Sequence, residues 1–227
     1  MITTDLKEEK TLNSRKLKIK CNPPSFHCRR VECSYCKEIK KLWIVFNGAK
    51  LAWKNNLKVH CVVSFNWQDE IKRGQFNTET DQFQTLVAKT GVLSKKMSGL
   101  KAKPFIRVMA IGESGCPHIH FIVSEQTFIK IDRICNKLWP QKHTIRAFEI
   151  SHVRPLLSYF FDRNYIPTFY HPNRIKGVRL FTGSRPMKCG FPTNKELDKM
   201  KRDIQANVYS ENWNGNESSV PDGNITD

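Results

Sequence analysis

The segment GESGCPHIHFIV, residues 112–123, decides the fold predicted for this chain. A turn marked by Gly and Pro leads into an apolar strand, predicted over 118–124, whose side chains alternate between two faces. His118 and His120 therefore point to the same face, while the residues between and after them face a core. Two imidazoles at this spacing form a chelate for a divalent cation. Because two nitrogens are an incomplete shell, we expect a nearby acid to complete it, and Glu113 is the candidate across the turn.

The hydrophobic pattern on either side of this strand mixes helices and strands, which predicts an α+β chain. Apolar residues at three- and four-residue steps predict helices, and short β-branched runs predict strands. The predicted helices span 37–57, 78–98, 126–138, 153–165 and 195–208. The further predicted strands span 58–66, 104–112, 144–150 and 178–182.

Composition indicates a basic protein with a polyanionic partner. The chain has 227 residues with 38 Lys+Arg and 21 Asp+Glu, a net charge of +17, and the last 21 residues contain acids but no Lys or Arg. A body this basic favours nucleic acid, and the alternative is a merely solvated basic surface. The cations expected to contact DNA are Arg29, Arg30, Lys101, Lys103, Arg107, Lys176, Arg179 and Arg185.

Four of the eight cysteines fall within sixteen residues, at Cys21, Cys28, Cys33 and Cys36. The spacing of the last three suits the thiolate ligands of one tetrahedral zinc ion, and His27 is an alternative fourth ligand. Structural Zn²⁺ would fold a short module with little core of its own. The alternative is a set of free cytosolic thiols.

The order of these features resembles the HUH endonucleases, most closely the rolling-circle replication initiators of small bacterial plasmids and single-stranded DNA phages. The His-Ile-His strand carries the resemblance, supported by KVHCVVSFN at 58–66 and KGVRLFTGSRP at 176–186. The resemblance implies a central antiparallel sheet flanked by helices. It also implies Mg²⁺ or Mn²⁺ on the two histidines, with Glu113 as a third ligand.

The same resemblance implies a tyrosine nucleophile on the helix predicted over 153–165. Tyr159 matches it, and Tyr165 is a less favoured second nucleophile that we expect to be a half-buried aromatic. The family has a lysine three residues after the tyrosine, where this chain has Asp162. Either the adjacent Arg163 or another base substitutes for that lysine, or nicking is attenuated.

The predicted organisation is a polar arm over 1–18, a Cys-rich zinc module and helix over 19–57, an HUH-like domain over 58–208 and a disordered acidic tail over 209–227. The implied function is metal-dependent nicking and joining of single-stranded or hairpin origin DNA through a 5′-phosphotyrosine, with helicase and polymerase borrowed from the host. The alternatives are an HUH transposase and a non-catalytic zinc-containing nucleic-acid-binding protein. With neither a signal peptide nor a membrane span in the sequence, we expect the cytoplasm of a bacterial host and no membrane partner.

Overall fold

A computed structural model describes residues 28–65, 79–99, 105–112, 116–140, 142–172, 178–183, 187 and 189–205. The predicted arm, the whole predicted tail over 209–227 and the ligand candidates Cys21, His27 and Glu113 lie outside these ranges, as do Lys101, Lys103, Lys176 and Arg185. Among the described helices, none has both the length and the apolar composition needed to cross a membrane.

The described part of the chain contains a five-stranded sheet in which every neighbouring pair is antiparallel. The strand order is β4-β1-β3-β2-β5, so the His-Ile-His strand is at the centre. The expected α+β class with a central antiparallel sheet is confirmed. The strands are β1 (Val59–Phe65), β2 (Ile106–Ile111), β3 (Pro117–Val123), β4 (His143–Glu149) and β5 (Phe181–Gly183).

Helices flank this sheet, and most begin and end within three residues of their predicted limits. The α-helices are α1 (Ser34–Asn55), α2 (Glu79–Gly99), α3 (Glu125–Leu138), α4 (Val153–Tyr159), α5 (Ile166–Tyr170) and α6 (Asn194–Gln205). Ser124 caps α3, because its hydroxyl accepts from the backbone N–H of Thr127. The first helix contributes Ile44 and Leu51 to the same core as the sheet, so the cysteines at its start are attached to that core.

The helix predicted over 153–165 departs from α geometry. The chain is α-helical to Tyr159, passes through a π-helical segment from Phe160 to Tyr165, and continues as α5. Short π segments are often found at functional sites, since the extra residue redirects the side chains that follow. Here, Phe160 and Asn164 both reach the same histidine of β3.

The two faces of the sheet have different surroundings. The face that carries His118 and His120 is packed by the π segment, whose Phe160 contacts the ring of His120. The opposite face lies under α2, where Arg107 Nη1 donates to Ser94 Oγ at 2.9 Å. The sheet therefore separates the histidines from the core that α2 covers.

Candidate metal and tyrosine site

The two histidines of β3 converge as the sequence predicts. Their Nε2 atoms lie 3.0 Å apart, with the ring planes close to perpendicular. Ligand atoms held about 2.1 Å from a six-coordinate cation lie about 3.0 Å from one another. The separation of the two nitrogens therefore equals the spacing that one small divalent cation requires.

Hydrogen bonds on the far side of each ring orient the two Nε2 atoms. His118 Nδ1 lies 3.1 Å from the carbonyl oxygen of Cys116, and because a carbonyl only accepts, Nδ1 carries the proton. His120 Nδ1 lies 3.1 Å from His60 Nε2 on β1. With His60 as the acceptor, His120 also keeps its Nε2 lone pair for a ligand. This outer support of ligand histidines is usual at metal sites.

Burial keeps the central imidazoles neutral. His120 is 7% exposed, and burial, followed by the neighbouring charges of His118 and His60, holds its pKa well below the usual value of 6.5. Burial likewise lowers the pKa of His60 to about 4. A neutral imidazole is the form that binds a metal, and the lowered pKa values favour that form for His120 and His60 at neutral pH.

The π segment supplies a further polar atom to the histidine pair. Asn164 Nδ2 lies 3.1 Å from His120 Nε2, and the ring of Phe160 packs against both His60 and His120. Among the described residues, the Oδ1 atom of Asn164 is buried and accepts no hydrogen bond. An unsatisfied buried acceptor on a side chain that contacts a candidate ligand is compatible with a cation site.

Tyr159 lies at the end of α4, directly before Phe160, and is 45% exposed. Its ring is 6.3 Å from that of Phe160. Arg163 lies four residues later, within the π segment, and is also exposed. The predicted nucleophile is therefore accessible and directly precedes a residue that contacts His120.

Asp162, which occupies the position where the resemblance expects a lysine, has a lysine partner from another helix. Its carboxylate forms an ion pair with Lys41 of α1 at 2.5 Å. The pair offsets the negative charge that this position would otherwise bring near a phosphate. Tyr165, by contrast, is 5% exposed, packs on Phe161 and receives a hydrogen bond from Lys40. Tyr165 is therefore more deeply buried than the half-buried aromatic that we expected.

The cysteines form a second cluster, at the start of α1. The sulfur atoms of Cys28, Cys33 and Cys36 all lie within 4.8 Å of one another, close enough to hold one metal ion. The 3.6 Å between Cys28 and Cys36 is near the ~3.8 Å sulfur–sulfur edge of a tetrahedral zinc site. Arg29, between the first two ligands, has a left-handed backbone with φ of 55°, which turns the chain back toward the helix.

The described cations expected on DNA are divided between different surfaces. Arg29 and Arg179 are exposed. Arg107 is partly buried on the face opposite the histidines, where burial lowers its pKa. Arg107 is therefore not brought to the histidine face.

His60 and Asn164 contact His120, yet sequence reasoning assigned neither to the site. His60 lies in the predicted strand 58–66, but only the β1–β3 register, with Val62 opposite His120, makes it a diagonal neighbour. Asn164 points at His120 because of the π segment, which the sequence does not signal. The one clue in the sequence was to His60, an imidazole on a strand expected to lie beside the His-Ile-His strand.

Comparison with known proteins adds no relative: no family model, curated protein or solved structure matches this chain.

Proposed function

We propose that this protein nicks and joins single-stranded DNA in the manner of a rolling-circle replication initiator, with Tyr159 as the nucleophile. The observation that carries the proposal is the pair of Nε2 atoms 3.0 Å apart, packed against the helical segment that begins directly after an exposed tyrosine. A cation on such a pair would supply the Lewis acid, and an accessible phenol the nucleophile, that phosphodiester transfer to tyrosine needs.

In the proposed reaction, the Oη atom of Tyr159 attacks phosphorus while the bond to the 3′ oxygen breaks. The phenol loses its proton and the departing 3′ oxygen gains one, which leaves a 5′-phosphotyrosine and a free 3′-hydroxyl. His118 and His120 would hold Mg²⁺ or Mn²⁺, which supplies Lewis-acid polarisation of a nonbridging phosphate oxygen. Arg163 would supply the positive charge near the phosphate, since Asp162 is paired with Lys41.

The edge strand β4 supports a single-strand track beside these residues. Arg146 lies opposite Val62, which in turn lies opposite His120, so the arginine shares the face of the histidines. Phe148 occupies the next position on that face, is 50% exposed and has its ring 5.7 Å from that of His60. A cation and an exposed ring in line suit backbone pairing and base stacking.

The test is cleavage of a labelled single-stranded hairpin library with Mn²⁺, scored as an adduct that survives denaturation. We expect wild type to form the adduct, Tyr159→Phe to abolish it and His118→Ala to reduce it strongly. Tyr170→Phe is the matched control, because Tyr170 is a comparably exposed tyrosine, at 50%, on the helix that follows. Adduct formation by Tyr159→Phe, or tight DNA binding without an adduct under any metal, would contradict the proposal.

The Cys28–Cys33–Cys36 cluster favours a second candidate, a zinc-containing protein that binds nucleic acid without cutting it. A turn held by a metal ion next to Arg29 and Arg30 would contact phosphates whether or not the protein cuts the nucleic acid. DNA binding that is insensitive to Tyr159→Phe and His118→Ala, but is lost in Cys33→Ser, would favour this candidate.

A further inference from the structure

We propose that Asn164 is the third protein ligand of the cation held by His118 and His120, through its Oδ1 atom. This inference rests on the proposed function, because it completes the same cation site. It differs from the expectation that Glu113 completes the shell.

The first step is the position of His120 Nε2, which lies close to one atom of each of two other side chains. His120 Nε2 lies 3.0 Å from His118 Nε2 and 3.1 Å from the Asn164 amide nitrogen. Both separations equal the edge of an octahedral site with ligands about 2.1 Å from the ion. Each of these side chains therefore has the separation from His120 that a second and a third ligand of one cation require.

The second step is the unsatisfied oxygen. Asn164 Oδ1 is buried and, within the described residues, accepts no hydrogen bond, while the Nδ2 atom faces the lone pair of His120. Rotating the amide by half a turn about its last side-chain bond exchanges the two atoms. The oxygen then faces the cation, and the acceptor that lacked a partner gains one.

The third step is the chemistry of the donors. Two imidazoles and an amide oxygen are neutral ligands of the type that Mg²⁺ and Mn²⁺ accept, and they leave coordination positions for a phosphate oxygen. No carboxylate is needed from the described residues. The π segment also fixes the distance between Asn164 and His120, since Phe160 of the same segment packs against His60 and His120.

The experiment measures binding of Mn²⁺ to the full chain, by electron paramagnetic resonance of the free ion, with zinc limited to one equivalent per chain so that the thiolates take it up and the imidazoles stay open. The variants are Asn164→Leu, which keeps the volume and removes the oxygen, and Asn164→Asp, which restores an oxygen ligand with a charge. Asn55→Leu is the matched control, because the side chain of Asn55 hydrogen-bonds only to the backbone of its own helix, at Leu51 O. Glu113→Ala and His118→Ala complete the set.

We expect Asn164→Leu to weaken Mn²⁺ binding at least ~10-fold, since even the loss of a group behind a ligand costs about 10- to 100-fold. Asn164→Asp should bind at least as tightly as wild type, a rescue that a merely structural role would not give. Mn²⁺ affinity within twofold of wild type in Asn164→Leu, together with lost binding in His118→Ala, overturns the role of Asn164 and leaves the cation site in place. If Asp fails to rescue the loss seen with Leu, the ligand role is also wrong. Wild type that binds no Mn²⁺ would instead overturn the cation site, and with it the metal-dependent function.

Discussion

A glycine in α1 sets how closely that helix approaches α4, the helix that ends at Tyr159. A Cβ atom added at Gly48 would lie 2.7 Å from Leu157 Cδ1 and 3.3 Å from Met187 Cε. Leu157 is fully buried, so its side chain has little room to move away. We therefore expect Gly48→Ala to push α1 and α4 apart.

The expected magnitude combines two opposing effects. Alanine is favoured over glycine inside a helix by about 1 kcal/mol, while overpacking a filled core costs about 1–3 kcal/mol. Gly48→Ala should therefore lower the free energy of unfolding by up to ~2 kcal/mol. Gly91 is the matched control: it lies inside α2, and an added Cβ would meet nothing within 4 Å. Gly91→Ala should raise the free energy of unfolding by about 0.5–1 kcal/mol.

The assay is urea unfolding of both variants and wild type under identical metal conditions. Adding Leu157→Ala to Gly48→Ala should cost less than Leu157→Ala does alone, because the smaller side chain relieves the contact. Since Tyr159 is two residues from Leu157, adduct formation should also fall in Gly48→Ala and stay unchanged in Gly91→Ala. If Gly48→Ala stabilises the protein as much as Gly91→Ala does, the close approach of the two helices is refuted.

Three further predictions concern the thiols and the charges. Burial raises the pKa of the Cys61 thiol to about 12. Above pH 9 this thiol therefore ionises in the unfolded chain but not in the folded one, so the free energy of unfolding should fall as pH rises. Alkylation at pH 8 followed by peptide mapping should label exposed Cys116 and spare Cys61. Cys33→Ser should reduce bound zinc below one ion per chain by elemental analysis, and an unchanged stoichiometry would remove Cys33 from the ligand set. Lys41 and Asp162 are 22% and 43% exposed, so a double-mutant cycle on the pair should give a coupling energy of about 0.2–1 kcal/mol. This coupling energy should shrink in high salt, and a salt-independent value would contradict a surface ion pair.

The sequence predicted much of the secondary structure because periodicity is a local property. Alternation over 118–124 and the three- and four-residue steps of 37–57 require no knowledge of neighbouring elements. The same reasoning failed at 153–165, predicted as one helix, because a π segment leaves the apolar pattern almost unchanged. The π segment is held by packing of Phe160 and Tyr165, which is a tertiary effect.

Short spacings in the sequence were enough to predict the cysteine cluster and the histidine pair. Cys33 and Cys36 are separated by two residues and His118 and His120 by one, so a turn or a strand alone brings each pair together. Arg107 shows that charge composition does not indicate on which face of the sheet a cation lies. It was grouped with the DNA-contacting cations by charge, but strand alternation against Phe121 places it on the face opposite the histidines.

The sequence by itself determined the α+β class, the shared face of His118 and His120 and the proximity of the cysteines, because each follows from residues that are close together in the sequence. Only the tertiary structure brought His60 and Asn164 to His120 and Lys41 to Asp162. Those contacts join residues 44 to 121 positions apart. They depend on strand register and helix packing, which the free energy of the whole fold selects and which no local pattern records.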